Sequence, residues 1–89
     1  MADRYLEITF RNGRAFAAYL YLPRQLGQRS ARTKPFGAGL IVDFAKDDAP
    51  IGIEITAPGR VSVTEIDEVL RAIGQPPLEP GEVAPLAAA

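Results

Sequence analysis

Two short alternating runs constrain the architecture of this chain more than any other feature. Leu40, Val42 and Phe44 alternate with Ile41 and Asp43; beyond an acidic turn, Ile51, Ile53 and Ile55 alternate with Gly52 and Glu54. A period of two is the pattern of a half-buried strand. Placing Asp47-Asp48 at the turn pairs Phe44 with Ile51, Val42 with Ile53 and Leu40 with Ile55, so six apolar side chains share one face. Pro50 falls at a strand start, where a missing donor is tolerated.

A second hairpin is predicted upstream. Leu6, Ile8 and Phe10 alternate with Glu7, Thr9 and Arg11, and Asn12-Gly13 follows at once. Both residues tolerate positive φ and favour a two-residue type I′ turn. Such a loop pairs Arg11 with Arg14, Phe10 with Ala15, Ile8 with Ala17 and Leu6 with Tyr19. The opposite face of the return strand then carries Phe16, Ala18, Leu20 and Leu22. Both faces of that strand are largely apolar in this register, so one meets a helix and the other needs a second cover.

Pro23 ends the strand, and residues 23–38 read as a long loop with four basic and no acidic residues, pinned by Leu26 and Phe36. After the break at Ala57-Pro58-Gly59 comes the clearest helix. Ser62 and Glu65 have capping-box spacing, and Val61 and Ile66 are placed for a hydrophobic staple. Val63, Ile66, Val69, Leu70 and Ile73 mark its apolar face, with Glu65, Asp67, Glu68 and Arg71 toward water. Gly74 suits the position after the helix, and Pro76-Pro77 forbids continuation. The tail, residues 75–89, is proline-interrupted; from Pro80 it has the makings of one short helical turn, with Leu78, Val83 and Leu86 as contacts. The expected fold is α+β: one small domain (1–89) with a four-stranded antiparallel sheet from two hairpins (β-β-β-β-α), one C-terminal helix on one face, and the tail at an edge.

Composition narrows the chemistry. The chain has neither cysteine nor histidine, which excludes disulfides, thiolate metal sites, imidazole ligands and the usual general base near neutral pH. No apolar run approaches the roughly 20 residues of a membrane span. Met1–Tyr5 lacks the features of a signal peptide, so a cytoplasmic protein is expected. Charge is split along the chain. Residues 1–38 carry seven basic and two acidic side chains (+5), and residues 39–89 carry three basic and nine acidic ones (−6). Either the two halves interleave in space, the simpler reading, or a basic face meets an acidic partner.

Residues 40–73, with Ile41-Val42-Asp43, the acidic turn and Ile51-Gly52-Ile53-Glu54-Ile55, resemble the domain of unknown function family 2283. The resemblance implies a small α+β bacterial protein without assigned catalytic residues or cofactors, and for some members an antitoxin-like role. The first hairpin and the basic loop depart from the family pattern.

Asp43 and Glu54 share a face of the second hairpin. Paired carboxylates hold cations or share protons, but hard cations usually need more oxygen ligands, and a solvated polar face is the simpler reading. Arg24, Arg29, Arg32 and Lys34 form a basic set that nucleic acid binding would use; without interleaved exposed aromatics, a solvated loop is favoured. Gly52 inside a strand signals either close approach of a ligand or another backbone, or else a bulge or a small residue beneath a bulky neighbour. The expected function is a non-catalytic interaction module, homodimeric or with a small protein partner, without cofactor or membrane contact. Its candidate surface is Phe16, Leu20, Leu22, Arg24, Arg29, Arg32 and Lys34. Nucleic acid binding through residues 23–38, and an enzyme or metal site at Asp43 and Glu54, are the alternatives.

Overall fold

Asn12 and Gly13 take φ of 53° and 76°, turning β1 (Tyr5–Arg11) back on β2 (Arg14–Tyr21) as the sequence predicts. The computed structural model describes residues 4–37 and 39–87. Three further strands follow: β3 (Arg32–Pro35), β4 (Leu40–Phe44) and β5 (Pro50–Ile55). A 3₁₀ turn (Pro58–Arg60), α1 (Val63–Ala72) and α2 (Pro80–Ala87) complete the chain. The sheet is fully antiparallel, in the order β1-β2-β5-β4-β3.

The class is α+β with an antiparallel sheet. The strand count differs from expectation: there are five strands, and the fifth lies within the stretch read as a loop. β3 is an exposed edge strand, paired on one side only through Arg32↔Phe44, Thr33↔Asp43, Lys34↔Val42 and Pro35↔Ile41. It is invisible to hydrophobic periodicity because none of its side chains is buried. Its cations lie over aromatics instead. Arg32 sits 4.3 Å above the Phe44 ring and Lys34 5.3 Å above Phe36.

The first hairpin keeps the predicted turn but not the predicted register. Arg11↔Arg14 and Phe10↔Ala15 hold, then the register shifts, giving Thr9↔Ala17, Ile8↔Ala18 and Leu6↔Leu20. Phe16 is the extra residue of a β-bulge, and one extra residue exchanges the two faces of everything beyond it. Leu20 and Ala18 therefore join Leu6 and Ile8 on the helix side. The strand is not apolar on both faces, and Tyr19 and Tyr21 take the other one. A one-residue shift at the turn end of the second hairpin likewise pairs Phe44 with Pro50 rather than Ile51, while Val42↔Ile53 and Leu40↔Ile55 are as predicted.

The core forms where this face meets α1. Leu20, Leu22, Val42, Ile53, Ile55, Ile66 and Leu70 are almost completely buried in one cluster, with Val61, Ile73, Phe36 and Leu78 packed against it. The capping box of α1 is present. The Glu65 amide donates to Ser62 Oγ (3.1 Å), and the Glu65 carboxylate accepts from the Ser62 amide (3.0 Å). These hydrogen bonds hold the Glu65 carboxyl below its ordinary pKa. Val63 differs from expectation in being exposed, and so does Leu26, which stands clear of the protein.

The tail is longer in helix than predicted and is tied down by polar contacts. Asp67 accepts the Leu78 amide at 2.8 Å. Arg4 donates to both Glu82 carboxylate oxygens (2.7 and 2.8 Å) and to the carbonyls of Pro76 (2.6 Å) and Pro77 (2.8 Å). The guanidinium fork thus joins the start of β1 to the approach and first turn of α2, which packs along β1. Leu78 makes its expected contact; the side chains of Val83 and Leu86 lie outside the described ones.

Arg4 holds the Glu82 carboxyl below its ordinary pKa. A carboxyl that titrates lower in the folded chain contributes stability above the ordinary carboxylate pKa, and that contribution is lost as pH falls through the folded value. Arg4→Ala is expected to cost about 2 kcal/mol in urea denaturation at neutral pH, for the loss of charged hydrogen bonds. The difference between wild type and variant should shrink as pH falls below about 4.

Candidate functional site

The helix-free face of the sheet carries the polar and aromatic side chains that the core excludes. Reading across the pairings, one row is Tyr5, Tyr21, Gly52, Asp43 and Thr33; the next is Glu7, Tyr19, Glu54, Ile41 and Pro35. No helix covers these rows among the described residues. Tyr5 is about half exposed, at 50 %.

The tyrosines are locked together. Tyr5 and Tyr21 stack with ring centroids 4.5 Å apart and planes 14° from parallel. Tyr19 meets Tyr21 edge to face at 4.7 Å. Such aromatic pairs add stabilisation beyond their buried area. Arg24 lies 5.5 Å from the centre of the Tyr21 ring and donates to the Ile51 carbonyl. The Tyr21 hydroxyl donates to Glu7 at 3.3 Å.

Gly52 explains the reach of Tyr19. A Cβ at residue 52 would overlap the Tyr19 phenol, so the missing side chain is the channel through which Tyr19 crosses β5. Beyond it the Tyr19 hydroxyl donates to Asp43 Oδ2 at 2.6 Å. Of the readings of Gly52, the small residue beneath a bulky neighbour is the one the structure takes. The phenol pKa is raised well above the ordinary tyrosine range, chiefly by burial and then by the bond to Asp43, with the nearby Arg24 pulling the other way. Tyr19 is thus a fixed neutral donor at physiological pH. Tyr21 is raised as well, by burial and by Glu7.

The residues singled out from sequence scatter. Leu20 and Leu22 are core residues, 0 % and 1 % exposed, and drop out of any surface; only Phe16 of the three is exposed, at 52 %. The bulge is the physical reason. Arg24 is engaged beneath Tyr21, and Arg32 pairs with Asp48 at 2.8 Å. Lys34 lies over Phe36, which leaves Arg29 on an open cleft of about 590 Å³ with Gln25, Gln28 and Lys46, rimmed by Leu26. Asp43 and Glu54 do share the helix-free face, but Asp43 is occupied by Tyr19 and Glu54 is exposed. Among the described residues no group of three or more acidic side chains could hold a metal ion.

No protein family, curated protein or solved structure matches the chain. Among the described residues, no helix is long and apolar enough to cross a membrane. The site is therefore read from its own geometry. Its informative residues are Tyr5, Tyr19, Tyr21 and Gly52, which strand propensity alone passes over as ordinary sheet residues. The usable signal was a tyrosine pair at period two together with a glycine inside a facing strand.

Gly52→Ala should push Tyr19 off Asp43. In a spectrophotometric titration at alkaline pH, the highest-titrating phenol of the wild type should fall toward the ordinary tyrosine value of about 10 in the variant. A phenol raised in the folded state stays protonated while the unfolded one ionises, so wild-type stability declines as pH rises above about 10. Gly52→Ala should flatten that decline.

Proposed function

We propose that the protein is a non-catalytic protein–protein interaction module that works through the helix-free face of its sheet, and that its partner there is a second copy. The observation that carries this reading is the tyrosine cluster braced across Gly52 onto Asp43. Tyrosine is one of the residues on which interface energy concentrates, because its rigid ring brings large contact area at small entropic cost. Here the rings are already immobilised by stacking and hydrogen bonds, so little freedom remains to be lost on association.

The edges of the sheet support the same reading. β3 presents Arg32, Lys34 and Pro35, and charge and proline at an edge discourage addition of another strand. At the opposite edge α2 packs along β1. With one edge guarded and the other flanked, the broad face is the surface left for association. Catalysis finds less support. Tyr19 is held protonated, Asp43 is satisfied by it, and the chain has no histidine or cysteine. The basic stretch 23–38 offers nucleic acid few free cations, since Arg24 and Arg32 are engaged within the fold. Kinship of residues 40–73 with the domain of unknown function family 2283, and with it an antitoxin-like role, remains part of the proposal.

Light scattering over a concentration series tests the reading. The wild type is expected to move from monomer to dimer mass. Tyr21→Ala is expected to weaken the association, as truncation of an interface aromatic does. A wild type that stays monomeric at the highest concentrations overturns self-association.

A further inference from the structure

The helix-free face is polarised along its strands. Alternation along β1 places Tyr5, Glu7, Thr9 and Arg11 on this face, and pairing places Tyr21, Tyr19, Ala17 and Arg14 beside them. One end holds the carboxylates, with Glu7 and Glu54 on either side of Tyr19 and Asp43 beyond Gly52. The other end holds Arg11 and Arg14. Between them lie the small side chains of Thr9 and Ala17. Arg14–Ala17 have no partner on β5, so the basic end is a two-stranded ribbon extending past the rest of the sheet.

Arg11 and Arg14 stand directly opposite each other across the turn. A like-charge pair in that position destabilises a hairpin. Arg11 lies 4.5 Å over the Phe16 ring, and among the described residues neither arginine takes part in an ion pair. Among the described residues Glu7 and Glu54 also lack ion-pair partners; Glu7 accepts the Tyr21 hydroxyl, and the one nearby cation, Arg24, lies over the Tyr21 ring and donates to the Ile51 carbonyl. One surface thus carries unpaired cations at one end and unpaired carboxylates at the other.

Building on the proposed self-association, we infer that two copies pack their helix-free faces antiparallel about a two-fold axis at Thr9 and Ala17, with Arg11 and Arg14 of each copy on Glu7 and Glu54 of the other. A two-fold interface uses the same patch twice. A patch that is positive at one end and negative at the other complements itself only in that orientation. The spacing agrees. Thr9 is two residues from Glu7 and two from Arg11, about 7 Å each way, so an axis through it carries Arg11 of one copy over Glu7 of its mate. Threonine and alanine at the axis let the backbones approach the roughly 10 Å of packed sheets. Only β1 and β2 reach past this axis, so the overlap is two strands wide and removes less than about 1,000 Å² from water in a dimer, at the small, weak limit of protein interfaces. At that limit charge complementarity decides orientation and partner choice.

Charge reversal separates this arrangement from self-association in general. R11E/R14E sets acid against acid at both ends of the homodimer, and E7R/E54R sets base against base; each alone should weaken dimerisation about tenfold or more. Mixed in equal amounts, the two variants should form a heterodimer near wild-type strength, since every reversed contact is then attractive. The quadruple variant should dimerise with itself. Wild-type dimerisation should weaken as salt is raised from 0.05 to 0.5 M, at roughly the scale over which screening acts. That measurement needs no variant and stands if one fails to fold. A wild-type dimer indifferent to salt and to both reversals overturns this arrangement while leaving self-association intact. A monomeric wild type overturns both.

Discussion

The parity of β2 governs the rest of the structure. Side chains alternate along a strand, so a single extra residue decides which side of the sheet each later residue occupies. The bulge at Phe16 supplies that residue. With it, Leu20 and Leu22 reach α1, the core forms as one cluster, and the tyrosines are left together on the opposite face. Without it, Leu6 and Ile8 would face α1 beside Tyr19, and the leucines of β2 would be in water. The energetic preference is large, since burying a single leucine is worth roughly 1.5–3 kcal/mol. Leu20 on β2 and Leu22 just past it together outweigh the ladder hydrogen bond that a bulge interrupts.

The two faces then differ in how they are held. The core face is secured by burial, which is non-directional and tolerant of small shifts. The helix-free face is secured by directional contacts: stacked rings, the Tyr21–Glu7 bond and the Tyr19–Asp43 bond across Gly52. Glycine is usually a weak residue in a strand, because it packs nothing and has more freedom to lose. Here the lost packing is supplied by a neighbour that lies over it. Arg4 plays the corresponding part at the margin, since its fork converts a proline-rich tail into a fixed strap.

Much of the fold was legible in the sequence, and the illegible parts share a cause. The turn at Asn12-Gly13, the β4–β5 face and the capping box at Ser62–Glu65 are written in local signals: turn chemistry, period two and residue spacing. β3 was missed because an exposed edge strand forms through backbone pairing alone, and its side chains carry no pattern. The register of the first hairpin was missed because a bulge inserts its residue without a marker in composition; Ala15-Phe16-Ala17 reads equally well either way. That error displaced the candidate surface onto Leu20 and Leu22. For the site, Asp43 and Glu54 were correctly put on one face, but Asp43 is a bracing group for Tyr19, a partnership that depends on a pairing between β2 and β5 that no local signal encodes.

That pairing has a consequence for how the chain assembles. β1–β2, β3–β4 and β4–β5 each join neighbours in sequence, and only β2–β5 brings together segments some thirty residues apart. The sheet is therefore two locally encoded pieces, a hairpin and a three-strand meander, meeting along one seam. Loop-closure entropy is concentrated there and grows only slowly with the length of the intervening segment. The stretch between Pro23 and Ala31 can accordingly vary in length at small thermodynamic cost, while Leu20 and Ile53, which face each other across the seam at full burial, carry the step that makes one molecule of two hairpins.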